Sequence, residues 1–163
     1  PWVKAMLTNA EFYSTNTMQG LVRSPVDFIA AVEYYTGYRG ADITPEWYVE
    51  GMGQAPYDPP NVAGWKTNGY WVNTSLFGAR AEFARGVTWN LRDNDQHAIS
   101  DGKTPDQAVD AVAAMFGLNL STVTRTALVN FVNVQRQNEP WVGWWEATNL
   151  LTMGMMVPEM HVA

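Results

Sequence analysis

Three times in this chain a hydroxyl-bearing residue is followed at once by proline: Ser24-Pro25-Val26-Asp27, Thr44-Pro45-Glu46 and Thr104-Pro105-Asp106-Gln107. A hydroxyl in that place accepts a hydrogen bond from a backbone N–H that the first helical turn leaves unpaired. Proline at the next position lacks the N–H that would be orphaned anyway. Each pair therefore predicts the start of a helix. Asp27 and Gln107 stand at the third helical position, from which a side chain reaches back to the cap backbone and closes a capping box.

Hydrophobic spacing supplies the remaining elements. Phe28, Ile29, Val32 and Tyr35 recur at three and four residues, and Gly37 is a natural stop, so a helix is predicted over 25–36. Trp47, Tyr48 and Met52 make a short second helix that Gly51 and Gly53 close. Asn73, Thr74 or Ser75 then caps a helix over 75–91. Its apolar side carries Leu76, Phe77, Phe83, Val87 and Leu91, with Arg80, Glu82 and Arg85 nearer its polar side. Ala108, Val109, Val112, Ala113 and Phe116 form the next stripe, ended by Gly117. Ser121 caps a helix with Val123, Ala127, Leu128, Phe131 and Val134 on its core face. Pro140 precedes a last helix from about Trp141 to Met156, and residues 1–11 are helix-like too. The expectation is an all-α fold of about seven helices without strands, one bundle-like domain over 1–163.

One stretch obeys neither period. Residues 53–71, GQAPYDPPNVAGWKTNGYW, hold three prolines, three glycines and four aromatics. Pro56, Pro59 and Pro60 remove backbone donors and fix φ, which forbids helix and stiffens the segment. Gly64 and Gly69 allow turns of positive φ, and Tyr57, Trp65, Tyr70 and Trp71 supply apolar mass to hold an ordered loop over 53–73 against the helices. Long ordered loops in small domains are often functional.

Composition excludes several classes of function. A net charge of −6, with ten scattered Lys and Arg, argues against a phosphate-backbone ligand, so no nucleic acid is expected. The absence of Cys removes thiolate nucleophiles and Cys-held zinc without fixing the compartment. No apolar run reaches the roughly 20 residues that span a bilayer, because Glu146, Thr148 and Asn149 interrupt the richest one. Eight tryptophans are many for this length, and each carries an N–H that needs a partner when enclosed.

The string Gly53-Gln54-x-Pro56-Tyr57-x-Pro59-Pro60-Asn61-Val62-x-Gly64-Trp65 is followed by Trp71-x-Asn73 and Arg80. With Arg23-Ser24-Pro25 upstream and Val157-Pro158-Glu159-Met160 at the end, it resembles the signature of the bacterial DUF1800 family. Lys66 stands where that family commonly has Pro, and Glu33-Tyr34-Tyr35 replaces a stretch that usually carries Arg. The resemblance covers the C-terminal part of a typical member. With the opening on Pro1-Trp2, it implies a preceding helical portion, which is the expected partner together with other protein chains. It further implies an exported, extracytoplasmic bacterial setting, and it supplies no chemistry.

Two functional readings stand beside a purely structural one in which the loop caps the helices. In the first, the loop is a recognition surface for binding or assembly, with Tyr57, Trp65, Tyr70 and Trp71 stacking on a glycan ring or a protein segment. Asn61, Asn68 and Asn73 would supply hydrogen bonds there. In the second, Asp58 with Glu46 or Glu82 forms the carboxylate pair of a hydrolase acting on a carbohydrate or cell-envelope polymer. His97 lies near Asp93, Asp95 and Asp101, but the spacing lacks the Gly turn and terminal Glu of a calcium loop, so neither metal nor cofactor is expected. His161 shows no partner in the sequence.

Overall fold

A computed structural model describes residues 1–14, 17, 20–38, 45–91, 96–138 and 143–162, with only the backbone of 96 and 97. Among them are seven α-helices and no strand: α1 (Trp2–Leu7), α2 (Pro25–Thr36), α3 (Pro45–Gly51), α4 (Thr74–Leu91), α5 (Pro105–Met115), α6 (Thr122–Asn138) and α7 (Trp144–Met156). Short 3-10 turns stand at Ala10–Tyr13, Asn68–Val72, Gln96–Ile99 and Pro158–Met160. The all-α expectation is met.

The caps are those the sequence spells. Ser24 and Thr104 each accept from the backbone N–H three residues on, while Asp27 and Gln107 reach back to complete capping boxes. Thr44, the third predicted cap, lies outside the described residues. Asn73 caps α4 through Leu76 N–H (3.0 Å), and Ser121 caps α6 through Thr124 N–H (3.2 Å). Gly37 and Gly117 close their helices at φ 67° and 60°, a region costly for other residues.

Helix α7 is the centre of the body and packs against α4, α5 and α6. Its Leu150, Leu151 and Met155 meet Phe83, Val87, Val112, Phe116, Leu128 and Val132 in one continuous core with α2 residues Phe28 and Val32. Gly154 is what lets α5 come close, since a Cβ there would stand 2.5 Å from Val112 Cγ1. On α6 the buried stripe is Leu128 and Val132, whereas Val123 and Val134, predicted for the core face, are exposed. The apolar residues of α6 wrap too far round the helix for one contact with α5 and α7 to cover them all.

Two further corrections concern charge. Arg80, placed by the sequence on the polar side of α4, has no exposed surface. It lies on the same stripe as Leu76, Phe83 and Val87, and its head is held where it stops. Nη2 donates to the Arg23 carbonyl (2.7 Å), Nη1 lies 3.0 Å from His161 Nδ1, and the guanidinium sits over the Phe28 ring at 5.0 Å. His161, expected to be alone, is 3% exposed. It stacks on Phe28 at 5.0 Å and lies against Phe77 at 4.8 Å. Arg23 N–H in turn donates to the His161 carbonyl (2.9 Å), beside an isolated bridge between Val22 and Val162. The end of the chain is thus sewn to the segment before α2 and to the middle of α4.

Because arginine only donates, His161 Nδ1 must accept, and the imidazole is neutral with its proton on Nε2. Burial, then the charges of Arg80 and Arg23, push the His161 pKa down to about 3, while burial lowers Arg80 to about 10, still charged at neutral pH. The unfolded histidine titrates near 6.5. The stabilisation from neutral His161 is therefore full above about pH 6.5 and is lost as the pH falls toward 3, by up to ~1.4 kcal/mol per pH unit. In urea unfolding between pH 7 and 4, His161→Asn is expected to lose stability less steeply than the natural chain. Equal slopes would show that His161 is not held neutral.

Candidate functional site

The loop places its residues unevenly. Trp71 is 2% exposed and is the anchor, with Tyr70 half-exposed and edge-on to it at 5.3 Å. Tyr57 is fully exposed at φ 61°, so it pins nothing. The left-handed turn expected at Gly69 falls on Asn68 (φ 52°), and the one expected at Gly64 is present (φ 85°). Asn61 is spent on its own turn, accepting from Ala63 N–H (2.8 Å). Asn73 donates to the Tyr70 carbonyl (3.2 Å) besides capping α4. Of the predicted binding residues, Trp65 and Trp71 share a cleft of about 370 Å³ with Arg23, Lys66 and Asn68.

A larger cleft lies between α4 and α7. It holds about 610 Å³ and is lined on α4 by Glu82, Arg85, Trp89 and Asn90 and on α7 by Trp145, Thr148, Asn149 and Thr152. A second hollow of about 540 Å³ continues it along α6, sharing Phe131, Trp145 and Asn149 and adding Gln135 and Asn138. Trp89 and Trp145 are each about half-exposed, at 48% and 47%. Trp144 stacks on Trp145 (4.5 Å, 17°) and meets Trp89 edge-on at 6.0 Å, which fixes the ring that faces the cleft.

The floor is polar. The hydroxyls of Thr88 and Thr152 are 2.9 Å apart, and Thr152 also donates to the Thr148 carbonyl. Among the described residues Thr148 Oγ1 is buried without a partner, as is Gln135 Oε1 in the adjoining hollow. Such atoms cost roughly 1–3 kcal/mol each unless water or a ligand satisfies them. Near the start of α7, Glu146 is 2% exposed and takes two bonds of 2.7 Å from Arg136, whose Nη1 also donates to the Lys103 carbonyl. That fork ties α6 to α7 beneath the tryptophans.

The three predicted carboxylates do not share the α4–α7 cleft. Glu82 lines the α4–α7 cleft, while Glu46 is exposed in the first turn of α3 and Asp58 is exposed in the loop; neither lines that cleft. Among the described residues no group of three or more His, Asp or Glu could hold a metal; Asp93, Asp95 and the His97 side chain lie outside them. Sequence reasoning missed Trp89, Thr148 and Asn149. The available signal was that Glu82, Arg85 and Trp89 recur at helical spacing on a face of α4 other than the apolar stripe.

No described helix is long and apolar enough to cross a membrane. Fold and clefts together define an all-α protein with several concave surfaces among the described residues and one long loop that Trp71 anchors. The family model described as "Protein of unknown function (DUF1800)" matches residues 1–162, and the chain belongs to that family. No curated protein and no solved structure matches it.

The unequal burial of the loop aromatics has a measurable consequence. Trp71→Ala is expected to cost about 3–5 kcal/mol, as for a large buried aromatic, and Tyr57→Ala to stay within about 0.5 kcal/mol. Chemical denaturation of both variants checks this, and a comparable loss from each would mean that Tyr57 packs in solution.

Proposed function

We propose that the protein is a binding module and that its principal site is the α4–α7 cleft, which takes a glycan. The observation that carries this reading is the pairing of two half-exposed indoles, Trp89 and Trp145, with a polar floor and a rim of Glu82, Arg85, Asn90 and Asn149. A sugar ring offers an apolar C–H face and a hydroxylated edge. An aromatic wall with a few placed amides and charges complements both, and the volume is that of a small-molecule site. The continuation along α6 gives room for more than one ring. In this reading the loop over 53–73 is a cap held by Trp71.

A hydrolase is the weaker alternative. Glycoside cleavage uses two carboxyl groups flanking the scissile bond, and Glu82 is the single carboxylate among the described residues lining this cleft. Glu146 is committed to Arg136. Assembly with another polypeptide segment is favoured by a separate observation: α1 has no buried residue, and Trp2, Val3, Met6 and Leu7 are all exposed. We also place the protein outside the bacterial cytoplasm, on the resemblance of family members to exported proteins.

Calorimetric titration with oligosaccharides of the bacterial envelope tests the binding reading. Saturable binding is expected, weakened about tenfold or more by Trp145→Ala, a change of ~1.4 kcal/mol, and unaffected by Tyr57→Ala. Binding indifferent to Trp145, or none, would refute it; release of reducing ends dependent on Glu82 would favour the hydrolase. For assembly, sedimentation should show self-association that Trp2→Asp with Leu7→Asp relieves, and a monodisperse natural chain would count against it.

A further inference from the structure

The smaller cleft, between the segment Leu21–Asp27 and the loop residues Trp65–Trp71, has mostly apolar walls, and among its polar groups several donors stand together. Arg23 and Lys66 bring two cations, and neither has a carboxylate partner among the described residues. The amides are oriented by the backbone. Gln54 Oε1 accepts from Val26 N–H (3.1 Å) and Asn68 Oδ1 from Val22 N–H (3.3 Å), so each presents its NH₂ as the group left over. The Trp65 indole N–H is buried and has no acceptor among the described residues.

Acceptors are scarce by comparison. Asp27 is the single lining carboxylate among the described residues, and its Oδ2 is taken by the Ser24 hydroxyl (2.7 Å) and backbone N–H (3.2 Å) in the capping box. Two cations outweigh it. Arg23 Nη1 reaches Met160 Sδ at 3.8 Å, which leaves its other N–H groups, Lys66, the two amides and the buried indole N–H as donors for an acceptor-rich anion. Charge-assisted bonds to such a ligand are the strong kind, and a guanidinium matches a planar or tetrahedral oxyanion well.

We propose that this cleft is an oxyanion site for a carboxylate or phosphate group, held by Arg23, Lys66 and the indole N–H of Trp65, with the amides of Gln54 and Asn68 completing the set. The backbone of Arg23 is fixed from behind, because its carbonyl accepts from Arg80 and its N–H donates to the His161 carbonyl. The backbone that carries Arg23 is thus set before the ligand arrives, which favours affinity. It stands apart from the glycan reading and shares no residue with the α4–α7 cleft.

The test follows the indole N–H resonance of Trp65, assigned by its disappearance in Trp65→Phe, during titration at constant ionic strength with sodium phosphate, sodium acetate and sodium chloride. A saturable shift with phosphate or acetate and none with chloride is expected, and which of the two saturates at lower concentration tells phosphoryl from carboxylate ligands. Lys66 is exposed, so Lys66→Ala is expected to fold normally and to weaken binding about tenfold, the scale of one charge-assisted bond. An unsaturable drift, equal shifts for all three salts, or an unchanged affinity in a normally folded Lys66→Ala would overturn the proposal.

Discussion

A guanidinium with no exposed surface ties three distant parts of this chain together. Burying an unpaired cation costs several kcal/mol, and Arg80 offsets that cost with a carbonyl, an imidazole and an aromatic face rather than with a carboxylate. The arrangement works only while His161 stays neutral, because a second positive charge at 3.0 Å would repel the first. One interaction therefore couples the middle of α4, the residues before α2 and the end of the chain. The loop follows from it: Asn68 bonds to Val22 and Gln54 to Val26, on either side of the carbonyl that Arg80 holds.

The same helix serves both concave surfaces. Arg80 and its neighbours on the buried stripe fix α4 against α2 and the chain end, while Glu82, Arg85 and Trp89 face the cleft against α7. Rigid elements carry the tryptophans, and Trp144 behind Trp145 restricts the ring further. Sites on helices hold side chains more firmly than sites on loops. That difference is the physical reason for proposing recognition at the helical cleft and a capping role for the loop, whose Tyr57 is fully exposed.

Local chemistry was legible in the sequence and tertiary choices were not. Ser24, Thr104, Gly37 and Gly117 specify caps through interactions within a few residues, so their reading needs no knowledge of the fold. Arg80 was misread because residue type was weighed above position: its spacing from Phe83 and Val87 already placed it inside. His161 and Trp65 found partners or a cleft through contacts more than forty residues away, which no periodicity reports. In the sequence Thr148 and Asn149 only interrupt an apolar run; they line a cleft because the fold sets them opposite Trp89.

The most direct measurement is the hydrogen-exchange footprint of the intact chain with and without a saturating envelope oligosaccharide. If the helical cleft is the recognition site, protection gathers in the C-terminal half of α4, in α7 and in the facing part of α6, and residues 53–73 exchange as before. Protection confined to the loop, with α4 and α7 unchanged, would contradict the account.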